Sequence, residues 1–188
     1  MSEASARSAR EIAMRQVPPT GRVARDADGL EVIVSRSIPA PASEVWEWVT
    51  RPEQVRRWYG AFRGTPRPGS VHSVKLTAEE GSPTVRIAVV ECVPGERYVI
   101  ETAGVAAPWR ITVSVADLGA SSRLFIAQRI ETAREAGEAG PGWEYYLDRL
   151  IAAREGGRMP DFADYFPSQR PYYERLAMDG DPVAWPAT

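Results

Sequence analysis

Between Ser70 and Glu131 apolar and polar residues alternate with period two, and short turn-forming clusters interrupt the alternation repeatedly. SVHSVKLTAEEGSP, TVRIAVVECVPGE, RYVIETAG, PWRITVSVADLGAS and SRLFIAQRIE read as successive strands, turning at EEGSP, VPGE, AGVAAP and DLGAS. Neighbours joined by so few residues must pair antiparallel, because a parallel crossover needs a dozen or more residues. The pattern therefore predicts an antiparallel meander. GLEVIVSRSI (29–38) is a further β-branched, alternating strand, and GRVARDADG before it is the expected hairpin partner.

Helical spacing appears twice. IPAPASEVWEWVTRPEQVRRWYGAF reads as two short helices punctuated by prolines: Pro41 suits a first turn, Val45, Trp46 and Val49 share a face, and Pro52 restarts a helix running through Val55 and Trp58. Later, Trp143, Leu147, Leu150 and Ile151 mark a helix expected from Trp143 to Arg154. Gly140-Pro141-Gly142 breaks the chain before it and Gly156-Gly157 ends it. A long helix that follows a curved sheet buries its stripe on the concave face. The predicted class is α+β, with a domain over 21–156, a flexible polar arm over 1–20, and an extension over 157–188 that packs on the domain as short helical pieces or is partly disordered, its last residues loose.

The chain has 188 residues and a formal net charge of -2, which gives no electrostatic reason for a nucleic-acid partner. No segment reaches the roughly 20 apolar residues of a membrane span, and the first residues lack the apolar core of a signal peptide. A cytoplasmic location is expected. One cysteine, Cys92, excludes an internal disulfide and reads as a small core or rim residue. One His and one Cys do not build a typical zinc site, so no metal or cofactor is expected.

Three motifs, SRSIPAPASEVWEWVTRPEQVRRWYG (35–60), ECVPGERYVIET (91–102) and GPGWEYYLDRLIAA (140–153), occur in the order derived above. Together they resemble the SRPBCC or START-like (helix-grip) superfamily. Within it, they resemble the C-terminal domain of activators of heat-shock-chaperone ATPase and their single-domain bacterial relatives. The resemblance implies a helix-grip fold, in which a curved antiparallel sheet wraps around a long C-terminal helix and two short helices follow the first strand. It also implies an apolar cavity between sheet and helix for a hydrophobic or amphipathic small molecule, lipid-like or polyketide-like. The N-terminal arm is too short to supply the activators' chaperone-binding domain, so chaperone activation is not expected. Other helix-grip branches are polyketide cyclases or aromatases, so the fold alone does not choose a chemistry.

The cavity candidates are the aromatics Trp58, Tyr59, Phe62, Trp109, Phe125, Trp143 and Tyr146, with Val74, Ile87, Ile111 and Leu150 as apolar walls. Core packing competes with a binding role at each. Gln128 is in phase with Leu124 and Ile126, which makes it the best inward polar residue; His72 is a second candidate, with an exposed position as its competing reading. Glu144 and Asp148, spaced i, i+4 on the long helix, read as a solvated face. No catalytic set with recognisable spacing is present. The expected function is binding of a hydrophobic small molecule. A cyclase-like enzyme using His72 or Gln128 and a protein-interaction or co-chaperone-like module are the alternatives, and a homodimer is left open.

Overall fold

A computed structural model describes residues 17–26 and 29–179. Seven strands form one sheet: β1 (Arg22–Asp26), β2 (Gly29–Ile38), β3 (Val71–Lys75), β4 (Thr84–Val93), β5 (Arg97–Thr102), β6 (Arg110–Asp117) and β7 (Ser122–Ile130). Their order is β1-β2-β7-β6-β5-β4-β3 and every pairing is antiparallel. The consecutive strands β3 to β7 are the meander that the alternation predicts. β2 returns to pair with β7, and a bulge between Val89 and Glu91 disturbs the β4–β5 register.

Two helices follow β2: α1 (Ala42–Thr50), capped by Pro41, and α2 (Pro52–Val55), which starts on its proline. Val45, Trp48 and Val49 are the buried residues of α1, while Trp46 is only partly buried. Trp58, just past α2, is buried and donates its indole N–H to the Trp48 carbonyl at 3.0 Å. The long helix α3 (Ala133–Glu155) packs on β2 and β7, and a last helix, α4 (Arg170–Asp179), packs on α3 and β1. This is the helix-grip fold.

Helix α3 begins at Ala133, well before the expected Trp143. Its start signal is Thr132-x-x-Glu135. The Thr132 hydroxyl accepts the Glu135 N–H at 3.2 Å, and the Glu135 carboxylate accepts the Glu131 N–H at 2.9 Å. The Gly-Pro-Gly run is therefore inside the helix. Proline there removes one helical hydrogen bond, typically costing about 3 kcal/mol, and burial of the helix face outweighs it. Gly137 and Gly140 are required by packing. A Cβ on Gly140 would lie 2.3 Å from the Tyr173 ring, and one on Gly137 would lie 2.7 Å from Glu174. At the far end Gly156 adopts φ 70° and terminates the helix, as expected from the sequence.

Glu144 corrects the reading of a solvated face, because it is fully buried. Its carboxylate accepts hydrogen bonds from the backbone N–H of Thr20 (2.5 Å) and Gly21 (2.8 Å), from the Tyr173 hydroxyl (2.6 Å) and from the Arg36 guanidinium (2.6 Å). Arg36 also donates to Asp148 at 2.7 Å, and Asp148 accepts from the Tyr165 hydroxyl at 2.7 Å. Three of the Glu144 donors fall on Oε1, and Oε2 takes Arg36 and the Thr20 hydroxyl at 3.0 Å, so both carboxylate oxygens are satisfied. This knot draws in residues 17–20, which the sequence assigns to the arm: the Gln169 side chain donates to the Val17 carbonyl at 2.8 Å. It also draws in the extension, whose Tyr165 and Tyr173 are buried core residues. The rest of the expected arm, 1–16, and residues 180–188 lie outside the described residues.

Burial pushes the Glu144 pKa up, but the Tyr173 hydrogen bond, the charge of Arg36 and the Thr20 N–H outweigh it and hold the carboxyl below its ordinary value. A carboxyl that titrates lower in the folded chain stabilises it fully above the unfolded pKa of about 4.3, and that stabilisation is lost as pH falls through the native value. Glu144→Gln leaves Arg36 short of one counter-charge and is expected to cost about 3 kcal/mol at pH 7. Thermal melts from pH 7 to pH 3 should show the wild-type advantage over this variant shrinking below about pH 4.3.

Candidate functional site

One helix does not cover seven strands. An α-helix with side chains is about 10 Å across and strands are about 4.8 Å apart, so α3 on β2 and β7 leaves the β3 to β6 side of the concave face without it. Two cavities occupy that side, with volumes of about 330 Å³ and about 640 Å³. Tyr59, Ile87 and Ile100 wall both. The smaller lies under α1 and α2 and includes Phe62, His72 and Val74; the larger lies along α3 and includes Trp109, Ile111, Gln128, Trp143 and Tyr146.

Three predicted positions fall elsewhere. Phe125 points to the opposite face of the sheet, where it packs with Ala24, Ile33 and Ala127 and under the Arg123 guanidinium. Strand β7 is apolar on both faces, so alternation around Leu124-Phe125-Ile126 does not say which side is the cavity. Trp58 and Leu150 are buried behind the cavity walls and line neither space. Trp109 stands at the rim, 58% exposed. Residues that sequence reasoning missed include Tyr145 and Phe162, whose rings meet edge-on at 5.2 Å beside the larger cavity. The signal for Tyr145 was the doubled tyrosine in WEYY; nothing local tied Phe162 to it.

The divider between the cavities is aromatic. The Tyr59 ring stacks on Trp143 at 6.1 Å and meets Tyr146 edge-on at 4.9 Å, geometries that rings favour. Burial, with the nearby Glu79 charge, pushes the Tyr59 hydroxyl up to about 12. Burial also raises Tyr146, reinforced by Glu79, which accepts its hydroxyl proton at 2.9 Å. Both remain protonated at neutral pH.

Among the non-aromatic polar residues that line the two cavities, Gln128 is the most buried, at 9% exposure. Its side-chain oxygen accepts the Trp143 indole N–H at 2.8 Å. An indole can only donate, so the oxygen must face Trp143 and the amide NH₂ is left for the cavity. That NH₂ has no hydrogen-bond partner among the described residues. His72 lines the other cavity, and its ring nitrogens contact the Ser70 hydroxyl at 2.9 Å and the Arg63 carbonyl at 3.0 Å. The two polar candidates therefore do not converge on one space. Cys92 lies at the smaller cavity, where burial raises its thiol pKa.

Residues 39–155 match the family model described as Activator of Hsp90 ATPase homolog 1-like protein, which is more than half of the chain. The chain belongs to that family. Solved structures share this fold at low identity. The crystal structure of CalU16 from Micromonospora echinospora is 20% identical with a TM-score of 0.67, over 85% of this chain and 97% of that one. DynU16, from the dynemicin biosynthetic locus, is 24% identical with a TM-score of 0.61, over 69% of this chain and 49% of its own. A protein of Bordetella parapertussis is 20% identical with a TM-score of 0.61, over 85% of this chain and 90% of that one. No curated protein sequence matches. No helix among the described residues is long and apolar enough to cross a membrane.

In this family member the two glycines of the Gly-Pro-Gly run have opposite surroundings. Gly140 is pressed against Tyr173, whereas a Cβ on Gly142 would meet nothing within 4 Å, because that position borders the larger cavity. Gly140→Ala should destabilise by about 2 kcal/mol through overpacking. Gly142→Ala should stabilise by about 1 kcal/mol, the ordinary gain of replacing helical glycine. Parallel denaturant titrations of the two variants measure the contrast.

Proposed function

We propose that this protein binds a hydrophobic or amphipathic small molecule in the larger cavity, between the sheet and α3. The observation that carries the reading is the cavity of about 640 Å³ bordered by Trp143, Tyr146 and Ile111, with the Gln128 NH₂ presented to it. Ligand sites commonly have this volume, an apolar and aromatic lining and a few polar groups that fix orientation. The Tyr59 hydroxyl adds a second polar group without a hydrogen bond to a described residue, at the wall shared with the smaller cavity. A structure of similar fold comes from the dynemicin biosynthetic locus, which agrees with a small-molecule role.

The binding reading is favoured over a cyclase-like one by the separation of the two polar candidates. Polar groups that assist one reaction must reach one substrate, but His72 and Gln128 border different cavities, and the Gln128 amide has no proton to give or take near neutral pH. Tyr146 has its proton engaged by Glu79, and Tyr59 is held protonated, so neither supplies a base at neutral pH.

Gly142→Leu places an apolar side chain in the larger cavity without a clash in its first atom. Wild-type protein should enhance the fluorescence of the neutral probe N-phenyl-1-naphthylamine, and this variant should bind it at least about tenfold more weakly, with an unchanged or raised melting temperature. Equal binding by both proteins would remove the larger cavity as the site. Native mass spectrometry of protein purified from its own host should show a co-purifying apolar molecule that the variant lacks.

A further inference from the structure

The charge around the larger cavity is one-sided. Among the described residues, its lining contains no Lys, Arg or His, while Glu79, Glu80, Glu101, Glu135 and Glu138 all border it. Three of these acids are occupied. Glu101 pairs with Arg110 at 2.5 Å, Glu138 pairs with Arg134 at 3.1 Å, and Glu135 caps α3. Glu79 and Glu80 have no ion pair among the described residues, and the Glu79 carboxylate receives only the Tyr146 hydroxyl among them.

A second observation points to a ligand in the same space. Gln128, nine-tenths buried, offers an NH₂ with no hydrogen-bond partner among the described residues, and the Trp143 indole fixes its direction. An unpaired donor at that depth is suited by an acceptor on a bound molecule. Between Gln128 and the glutamates stand the rings of Tyr59, Trp143 and Tyr146, whose faces attract cations. A carboxylate ligand would meet like charge at the mouth and find no cation on the wall.

We propose that the larger cavity selects cationic amphiphiles: molecules with an apolar or aromatic body and a protonated or quaternary amine, seated with the charge on the Glu79–Glu80 side and a hydrogen-bond acceptor toward Gln128. This rests on the reading of that cavity as a ligand site and narrows its ligand class. The smaller cavity differs, since among the described residues its lining includes Arg51 and His72 and no acid.

Isothermal titration with decylammonium, decanol and decanoate at pH 7 separates the head group from a common chain. Decylammonium should bind roughly tenfold more tightly than decanol at low salt, and decanoate should bind weakest. High salt should compress the differences. The double variant Glu79→Gln, Glu80→Gln should bring decylammonium down to decanol while leaving decanol unchanged, which also shows that the variant is folded. Equal binding of the three probes, or tightest binding of decanoate, overturns the cationic preference and leaves the cavity reading standing. Decylammonium binding that persists in Gly142→Leu assigns the charge effect to the outer surface and overturns the proposal. Failure of every probe to bind overturns both readings.

Discussion

A carboxylate removed from water is costly to bury unless its acceptor sites are filled, and Glu144 is fully buried. Its partners come from three parts of the chain: the segment at Thr20 and Gly21, Arg36 on β2, and Tyr173 on α4. These bonds hold α3 against the β1–β2 side of the sheet. A helix fixed there does not reach across to β3, β4 and β5, and the two cavities lie over what it leaves. The polar knot and the apolar cavities are consequences of one placement.

Gly140 and Gly142 divide the labour on the same helix. The first lets the Tyr173 ring lie against the α3 backbone, which brings its hydroxyl to Glu144. The second faces the larger cavity, where any side chain would take volume from it. A motif that reads locally as a break in the helix is thus used for close packing on one side and open space on the other.

The sheet was legible because its strands alternate and its turns are short. In β6, Ile111, Val113 and Val115 are buried and their neighbours are less so, as period two requires. Gln128 could be assigned inward because Leu124 and Ile126 set the phase, but the same strand hid the direction of Phe125, since both of its faces are apolar. The start of α3 was missed because glycine and proline propensities are local, whereas the packing that overrides them comes from α4, a distant part of the chain. Glu144 was misread for a related reason. An i, i+4 acidic pair on a helix usually faces water, and nothing nearby in the chain announces that Arg36, Tyr165 and Tyr173 will enclose it. The cavity aromatics contributed by neighbouring elements were readable as a set, but Glu79 and Phe162 reach the cavity only through tertiary placement.

The knot also bears on the order in which the chain can assemble. Glu144 is separated by more than a hundred residues from Thr20 and Gly21 and by 29 from Tyr173. A partial set of partners would leave a charge enclosed without enough donors, so there is little reward for forming one of these bonds early. The meander joins near neighbours in the chain and can form with small loop-closure cost, whereas the knot requires both flanks of the domain at once. It acts as a closing clasp: the segment before β1 and the helix after α3 gain their places together, once the sheet and α3 already lie face to face.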